Sequence, residues 1–223
     1  MSALETPDTD AVLTVADLQC RRGRLRLGPL SFLLRRGEKV ALLGANGGGK
    51  SSLLLALAGL LPVHGGWVTR SPRLALAGDG LALLDELSVA ESLTDVAALN
   101  GLPATAVDAA LMQWQLGAVA HRPVLSLSLG FRQRLGLALA TLPQPELLLL
   151  DEPGNGLDPE QQALLNHWLE QDRQTAVLLV SHQLERLPRT IARALLLASE
   201  ADGRTVLKYD GDRRALPAPW STP

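Results

Sequence analysis

The chain is 223 residues long, 47% apolar and 20% charged, which suits one globular domain of ordinary size with a substantial core. Its basic residues number 21 and its acidic residues 23, a formal charge of −2 that argues against a nucleic-acid surface. The single cysteine, Cys20, leaves no partner for an internal disulfide and fits a reducing compartment.

Residues 1–10 are polar and expected to be loose. They are acidic where a secretory signal would be basic. From Val12 to Leu34 short apolar stretches alternate with turn signals at Arg22-Gly23 and Gly28-Pro29, which predicts a small antiparallel sheet. Lys39 to Leu43 reads as a strand, followed by a glycine-rich loop and the helical run SSLLLALAGLL, with Gly59 near the helix end and Pro62 beyond it. That apolar run, Leu53 to Val63, is broken by Gly59 and Pro62 and falls short of the roughly 20 residues a bilayer crossing needs. The chain is therefore expected to be soluble by itself, and any place at a membrane requires a separate protein to hold it.

Residues 66–77 can return as further short strands. Between Leu81 and Leu125 the pattern turns helical, with Asn100-Gly101 and Pro103 separating two helices and Gly117 expected to close the second. Leu147 to Leu150 and Ala176 to Val180 are solid apolar runs of the kind that form parallel strands buried on both faces. Leu195–Leu197 and Thr205–Leu207 flank the turn Ala201-Asp202-Gly203 and predict a closing hairpin. Strands alternating with helices predict an α/β core with a helical insertion.

Three places carry chemistry. Gly44-Ala45-Asn46-Gly47-Gly48-Gly49-Lys50-Ser51, with Ser52 next on the helix, fits the phosphate-loop pattern and lies between a predicted strand and a predicted helix. Glycines let backbone N–H groups cup phosphates, and the helix N-terminus adds positive potential. Lys50 is expected to reach the β- and γ-phosphates of ATP, and the Ser51 hydroxyl to ligate magnesium. Second, Asp151 and Glu152 end the strand Leu147–Leu150, where open α/β sheets bind ligands. Asp151 suits the metal, and Glu152 suits orienting or deprotonating the attacking water. Third, His182 follows the strand Ala176–Val180 and suits a γ-phosphate contact, whereas His64, His121 and His167 have no comparable setting.

These residues, with three further stretches, resemble the ATP-binding cassette (ABC) ATPases. Leu127-Ser128-Leu129-Gly130-Phe131-Arg132-Gln133-Arg134 is similar to the family signature L-S-G-G-Q and the basic residues after it. Glu152-Pro153-Gly154-Asn155-Gly156-Leu157-Asp158 resembles the stretch from the catalytic glutamate to the D-loop, and Ser181-His182 the switch histidine. The order of motifs matches from about Leu13 to Leu207. The resemblance implies a phosphate-loop (RecA-like) α/β core with a small antiparallel β subdomain and a helical subdomain inserted between the phosphate loop and the signature. It assigns the core to about residues 11–78 and 141–208, the helical subdomain to about 81–140, and tails to 1–10 and 209–223, all within one ABC ATPase domain.

The resemblance further implies two subunits packed head to tail, identical or not, each ATP lying between one phosphate loop and the partner's signature. Ser128 and Gly130 would then contact the γ-phosphate across the dimer, and Asp158 would couple the two sites. A helix starting after Ser128 offers free N–H groups to an anion, with Arg132 and Arg134 expected close by. Three departures stand out. The region Cys20-Arg21-Arg22-Gly23 lacks the aromatic that stacks on adenine, leaving an arginine plane as substitute. No glutamine falls near Ala77-Gly78-Asp79-Gly80, where the family's Q-loop glutamine belongs. Leu129 and Phe131 replace a glycine and a glutamine of the signature.

With Lys50, Ser51, Asp151, Glu152 and His182 in place, hydrolysis is expected. The leading expectation is the ATP-hydrolysing subunit of a transporter with separate membrane subunits, on the cytoplasmic face of the inner membrane, with features resembling exporter-type and haem-exporter ATPases. The alternatives are a soluble ABC ATPase, such as the iron–sulfur cluster assembly type, and a non-hydrolysing ATP switch.

Overall fold

The computed structural model describes residues 10–78, 83–182 and 186–217. The centre of the fold follows from the apolar runs. β3 (Lys39–Gly44), β6 (Leu147–Asp151) and β7 (Ala176–Val180) are almost wholly buried and lie parallel, with β7 between the other two. Adjacent residues point to opposite faces. Leu147 and Leu149 therefore join one apolar cluster, and Leu148 and Leu150 the other. Burying each such leucine contributes about 1.5–3 kcal/mol.

The full sheet has nine strands in the order β4-β1-β2-β9-β8-β3-β7-β6-β5. β1 (Ala11–Arg22) and β2 (Leu25–Arg35) pair antiparallel, as expected, and β8 (Arg193–Ser199) and β9 (Arg204–Asp212) form the expected hairpin. The stretch read as further short strands divides. β4 (Val63–Arg70) pairs with β1, and β5 (Leu74–Gly78) pairs parallel with β6 at the opposite edge. Arg70 and Leu74 can be at most about 14 Å apart along the chain. Eight strand spacings laid flat would separate the two edges by about 38 Å. The sheet must curl, and it does so around α1 (Lys50–Ala58).

That position accounts for the composition of α1, which is apolar nearly all round. Ser52, Leu53, Leu54, Ala56 and Leu57 are buried, and the helix touches β1, β3, β4, β5 and β6. A helix enclosed on all sides needs no polar stripe.

The outer face carries α2 (Val89–Leu99), α3 (Ala104–Gln113), α4 (Leu129–Thr141) and α5 (Pro159–Gln171). Ser88 and Glu91 form a reciprocal capping box at the start of α2. Trp114, after α3, lies 6.0 Å from Trp168 of α5, ring centre to ring centre, and ties the end of α3 to α5.

Three expectations change. Gly28-Pro29 is not a turn but sits inside β2, where Gly28 at φ 99° passes so close to the β1 backbone that a Cβ would collide with the Leu18 carbonyl. Gly117 does not close α3. Gln115 does, at φ 51°, with its N–H on the Met112 carbonyl and that of Leu116 on the Leu111 carbonyl. Residues 209–212, expected in the tail, complete β9, because Tyr209 and Asp210 pair with Leu196 and Leu195 and Arg193 binds Asp210. Residues 1–9, 79–82, 183–185 and 218–223 lie outside the described residues, including Asp79 and Gly80 of the expected Q-loop.

Candidate active site at the carboxyl ends of the parallel strands

The register aligns the strand ends. Asp151 pairs with Val180 and with Gly78, Val180 with Leu42, and Gly44 with Leu197. Asp151, Glu152, Ser181 and His182 therefore emerge at the same end of the sheet as the loop that follows Gly44.

Residues Ala45, Asn46 and Gly47 of that loop are exposed, and Gly49 closes it as the N-cap of α1 at φ 91°. A Cβ on Gly48 would lie 2.8 Å from the Ala45 carbonyl, and one on Gly49 2.8 Å from Leu27 of β2. Gly49 is thus required by close packing as well as by backbone geometry, and Gly48 by close packing alone. The first turn of α1 presents N–H groups with no helical acceptor. Lys50 is buried and donates to the carbonyls of Gly44 at 2.9 Å and Ala45 at 3.1 Å, so its ammonium is already seated over the loop. Ser51 is exposed at the start of the helix, and Ser52, next along it, is buried.

At the neighbouring strand ends, Glu152 is held at φ 49°, a conformation a glutamate seldom adopts and one that clusters at functional sites. Its N–H donates to the Val180 carbonyl at 3.2 Å, and its Oε2 lies 2.8 Å from Nδ1 of His182. The sequence placed these two residues separately; the structure brings them into contact. Gly78 has no room for a side chain beside Asp151, since a Cβ there would lie 2.7 Å from the Asp151 Cβ. Among the described residues no group of three His, Cys, Asp or Glu could hold a metal alone. The available donors are the Ser51 hydroxyl and the Asp151 carboxylate. An all-oxygen pair of this kind fits magnesium, which usually takes one or two protein oxygens and completes its shell from phosphates and water.

The second half of the constellation lies at the start of α4. Ser128 is its N-cap, and the Ser128 carbonyl accepts from Arg132 N–H at 3.0 Å. Gly130 is buried against the Gln161 side chain of α5, whose Cδ a Cβ at position 130 would approach to 2.8 Å. Asp158 is exposed and caps α5, its Oδ1 accepting from Gln161 N–H at 2.8 Å.

The arginines after the signature are not poised for an anion. Arg132 pairs with Asp85 at 2.9 Å. Arg134 is buried, donates to the carbonyls of Trp114 and Gln115, and lies 4.3 Å over the Phe131 ring. Burial pushes the Arg134 guanidinium below its usual range, against the pull of Asp158 and Glu160. Gln133, which carries no expected role of its own, donates from Nε2 to the Asn155 carbonyl. Its four-residue spacing from Leu129, which puts both on one helix face, was the available signal.

At the β1–β2 turn, Cys20 is buried and Arg21 and Arg22 are exposed. Arg22 pairs with Leu25 and Cys20 with Leu27. The Leu25 and Leu27 side chains both face Gly49, so Arg22 shares the face of the hairpin that covers the phosphate loop.

The curled sheet around α1, a phosphate loop and acidic residues at the adjoining strand end together define a phosphate-loop nucleoside triphosphatase. Residues 27–155 match the family model described as ABC transporter. The chain is 40% identical over 177 residues to the cytochrome c biogenesis ATP-binding export protein CcmA of Zymomonas mobilis, covering 78% of this chain and 80% of that protein. It is 38% identical to the zinc import ATP-binding protein ZnuC of Cereibacter sphaeroides, covering 81% and 76%. A solved ATP-binding subunit of an ABC transporter superposes with a TM-score of 0.78 at 25% identity, covering 91% and 90%. The chain belongs to the ABC transporter family of ATP-binding proteins and is a transporter ATPase.

Proposed function

We propose that this chain hydrolyses Mg-ATP as one half of a head-to-tail dimer and drives separate membrane subunits from the cytoplasmic side. One observation carries the dimer. The N-terminus of α4 is anchored on residues 154–161 and carries exposed Ser128 and Leu129 at the surface, the Ser128 hydroxyl accepting only from the Phe131 N–H at 3.5 Å. Anion-binding N–H groups left at a surface suit a ligand supplied by another molecule.

In this reading the backbone of Gly44 to Ser52 and the Lys50 ammonium hold the phosphates, Lys50 exchanging its loop carbonyls for phosphate oxygens. Ser51 and Asp151 hold the magnesium ion, which supplies neutralisation of charge on the transferring phosphoryl group. Glu152 orients and deprotonates the attacking water, and His182 fixes the Glu152 carboxylate and the γ-phosphate edge. The partner's Ser128 and Gly130 close the site, and Asp158 sits between the two sites. Among the described residues no helix is long and apolar enough to cross a membrane, consistent with membrane subunits on separate chains. The relatives named above include an exporter and an importer, and the similarity to the cytochrome c biogenesis proteins favours export.

The test is a tagged purification from detergent-solubilised membranes. Recovery of a polytopic membrane protein in stoichiometric amount is expected. Recovery from the cytosol alone, free or with soluble partners, would replace this reading with that of a soluble assembly ATPase.

A further inference from the structure

The segment before β8 and the segment after β9 meet at the end of the sheet away from the phosphate loop. Val40 of β3 pairs with Arg193 and Gly44 with Leu197, so Ile191 and Ala192, just before β8, lie at the amino end of β3. Arg193 also pairs with Asp212, which brings the end of β9 and the residues after it to the same place. A cavity of about 390 Å³ opens there, lined by Arg189, Ile191, Ala192, Asp212, Arg213 and Arg214. That volume falls in the range of small-molecule sites. The chain as a whole carries more acidic than basic residues, yet this cavity has three arginines and a single carboxylate.

The carboxylate is engaged, and two of the three guanidinium groups are not. Asp212 Oδ1 accepts from the Arg214 N–H at 2.8 Å. Arg213 is seated by its backbone N–H on the Ala192 carbonyl at 2.7 Å, and by Nη1 on the carbonyls of Leu187 and Pro188 at 3.4 and 3.1 Å. Those bonds hold the two walls of the cavity together, but carbonyls supply no compensating charge. Arg189 and Arg214 are exposed, and among the described residues their side chains have no hydrogen bond or ion pair. The neighbouring carboxylates of Asp210 and Glu38 are bound by Arg193. Burial, and then the like charge of Arg214, holds the Arg213 guanidinium below its usual range against the pull of Asp212.

We infer that this cavity is a binding site for the phosphate group of a small phosphate monoester, separate from the nucleotide site. A guanidinium presents its N–H groups as a planar fork that matches phosphate oxygens two at a time. Three arginines against one aspartate leave a surplus of two positive charges, and a phosphate monoester near neutral pH carries nearly two negative ones. A carboxylate ligand would leave half of that surplus unmatched. The remaining wall, Ile191 and Ala192, is apolar and suits the carbon skeleton of the ester. A ligand held there bridges the segment before β8 to the end of β9. Free phosphate esters and phosphatidate headgroups carry the same group, and the chemistry of the cavity serves either source. The inference does not depend on the dimer or on the membrane subunits proposed above.

The experiment titrates the full chain with glycerol 3-phosphate by isothermal calorimetry, with saturating Mg-ADP present so that the phosphate loop is filled. One ligand per chain is expected to bind. Arg189→Ala and Arg214→Ala remove exposed side chains and leave the anchored Arg213 in place. Each is expected to weaken binding about tenfold or more, the scale of a hydrogen bond to a charged group, with ADP affinity unchanged. Acetate, with a single charge, should bind at least about tenfold more weakly than the ester. Cosedimentation with phosphatidate and with phosphatidylcholine vesicles separates the sources. Binding to phosphatidate vesicles alone, lost in the same two variants, assigns the group to a lipid headgroup; binding of glycerol 3-phosphate assigns it to a free molecule. Full affinity retained in both variants would overturn the inference. So would equal affinity for acetate, or the absence of binding to both glycerol 3-phosphate and phosphatidate.

Discussion

Nδ1 of His182 stands 2.8 Å from Oε2 of Glu152, joining the residues that follow two adjacent parallel strands. The contact orients a carboxylate whose backbone is already confined to an uncommon conformation. It gives the histidine a task, holding the glutamate, that does not depend on nucleotide being present.

Glu152→Gln is expected to cut phosphate release by roughly two to four orders of magnitude, the usual worth of a general base. ATP binding should persist, because the phosphate loop is untouched. His182→Ala should fall in the same range with a similar KM. Steady-state ATPase assays beside fluorescent-nucleotide titration check both. Turnover surviving in Glu152→Gln would assign the base elsewhere.

Gly78→Ala tests the proposed metal site without touching a donor. The added methyl would press on the Asp151 Cβ at 2.7 Å and turn the carboxylate. The magnesium concentration for half-maximal turnover should rise severalfold, while ATP affinity measured without metal should hold. An unaltered magnesium dependence would mean that Asp151 is not a metal ligand.

Arg22 shares the hairpin face that covers the phosphate loop, through its pairing with Leu25. A guanidinium plane can stack on a nucleobase. Arg22→Ala is expected to raise KM for ATP severalfold with kcat retained, and Arg22→Tyr to restore it. Unchanged affinity in Arg22→Ala would remove this residue from base recognition.

A pH effect on stability follows from Asp172. Burial pushes its carboxyl up, but N–H groups of Thr175 and Gln174, the Thr175 hydroxyl and the Lys39 ammonium together hold it below the usual range. A depressed carboxylate pKa stabilises the fold above the unfolded-state value, and that stabilisation is lost as pH falls through the folded-state value. Asp172→Asn should therefore cost about 1–3 kcal/mol near neutral pH. The gap to the unaltered protein should narrow on acidification. Urea unfolding at several pH values measures it, and a gap that is independent of pH would contradict the assignment.

The parts legible in the sequence are those whose chemistry is contiguous. Gly44 to Ser51 carries its loop, lysine and helix start in eight neighbouring residues, and Leu147 to Glu152 announces both a buried strand and its acidic end. The rest depended on what folding brings near. Gly28-Pro29 has turn composition, yet only the approach of Leu18 explains why it lies within a strand. Gln115 closes α3 because its neighbours satisfy the helix carbonyls, so Gly117 was the wrong place to look. Arg134, expected beside an anion at the start of α4, is instead enclosed by Phe131 and the Trp114 and Gln115 carbonyls. Gln133 could be assigned only once Asn155, 22 residues away, was seen beneath it.

The curled sheet divides the molecule mechanically. α1 is enclosed by strands from both edges, which the short Arg70–Leu74 connection holds near each other, so the phosphate loop at its start behaves as an anvil. The cradle cannot rock toward its ligand without opening the sheet. A displacement confined to the outer helical layer, by contrast, leaves the contacts of α1 with its surrounding strands unbroken.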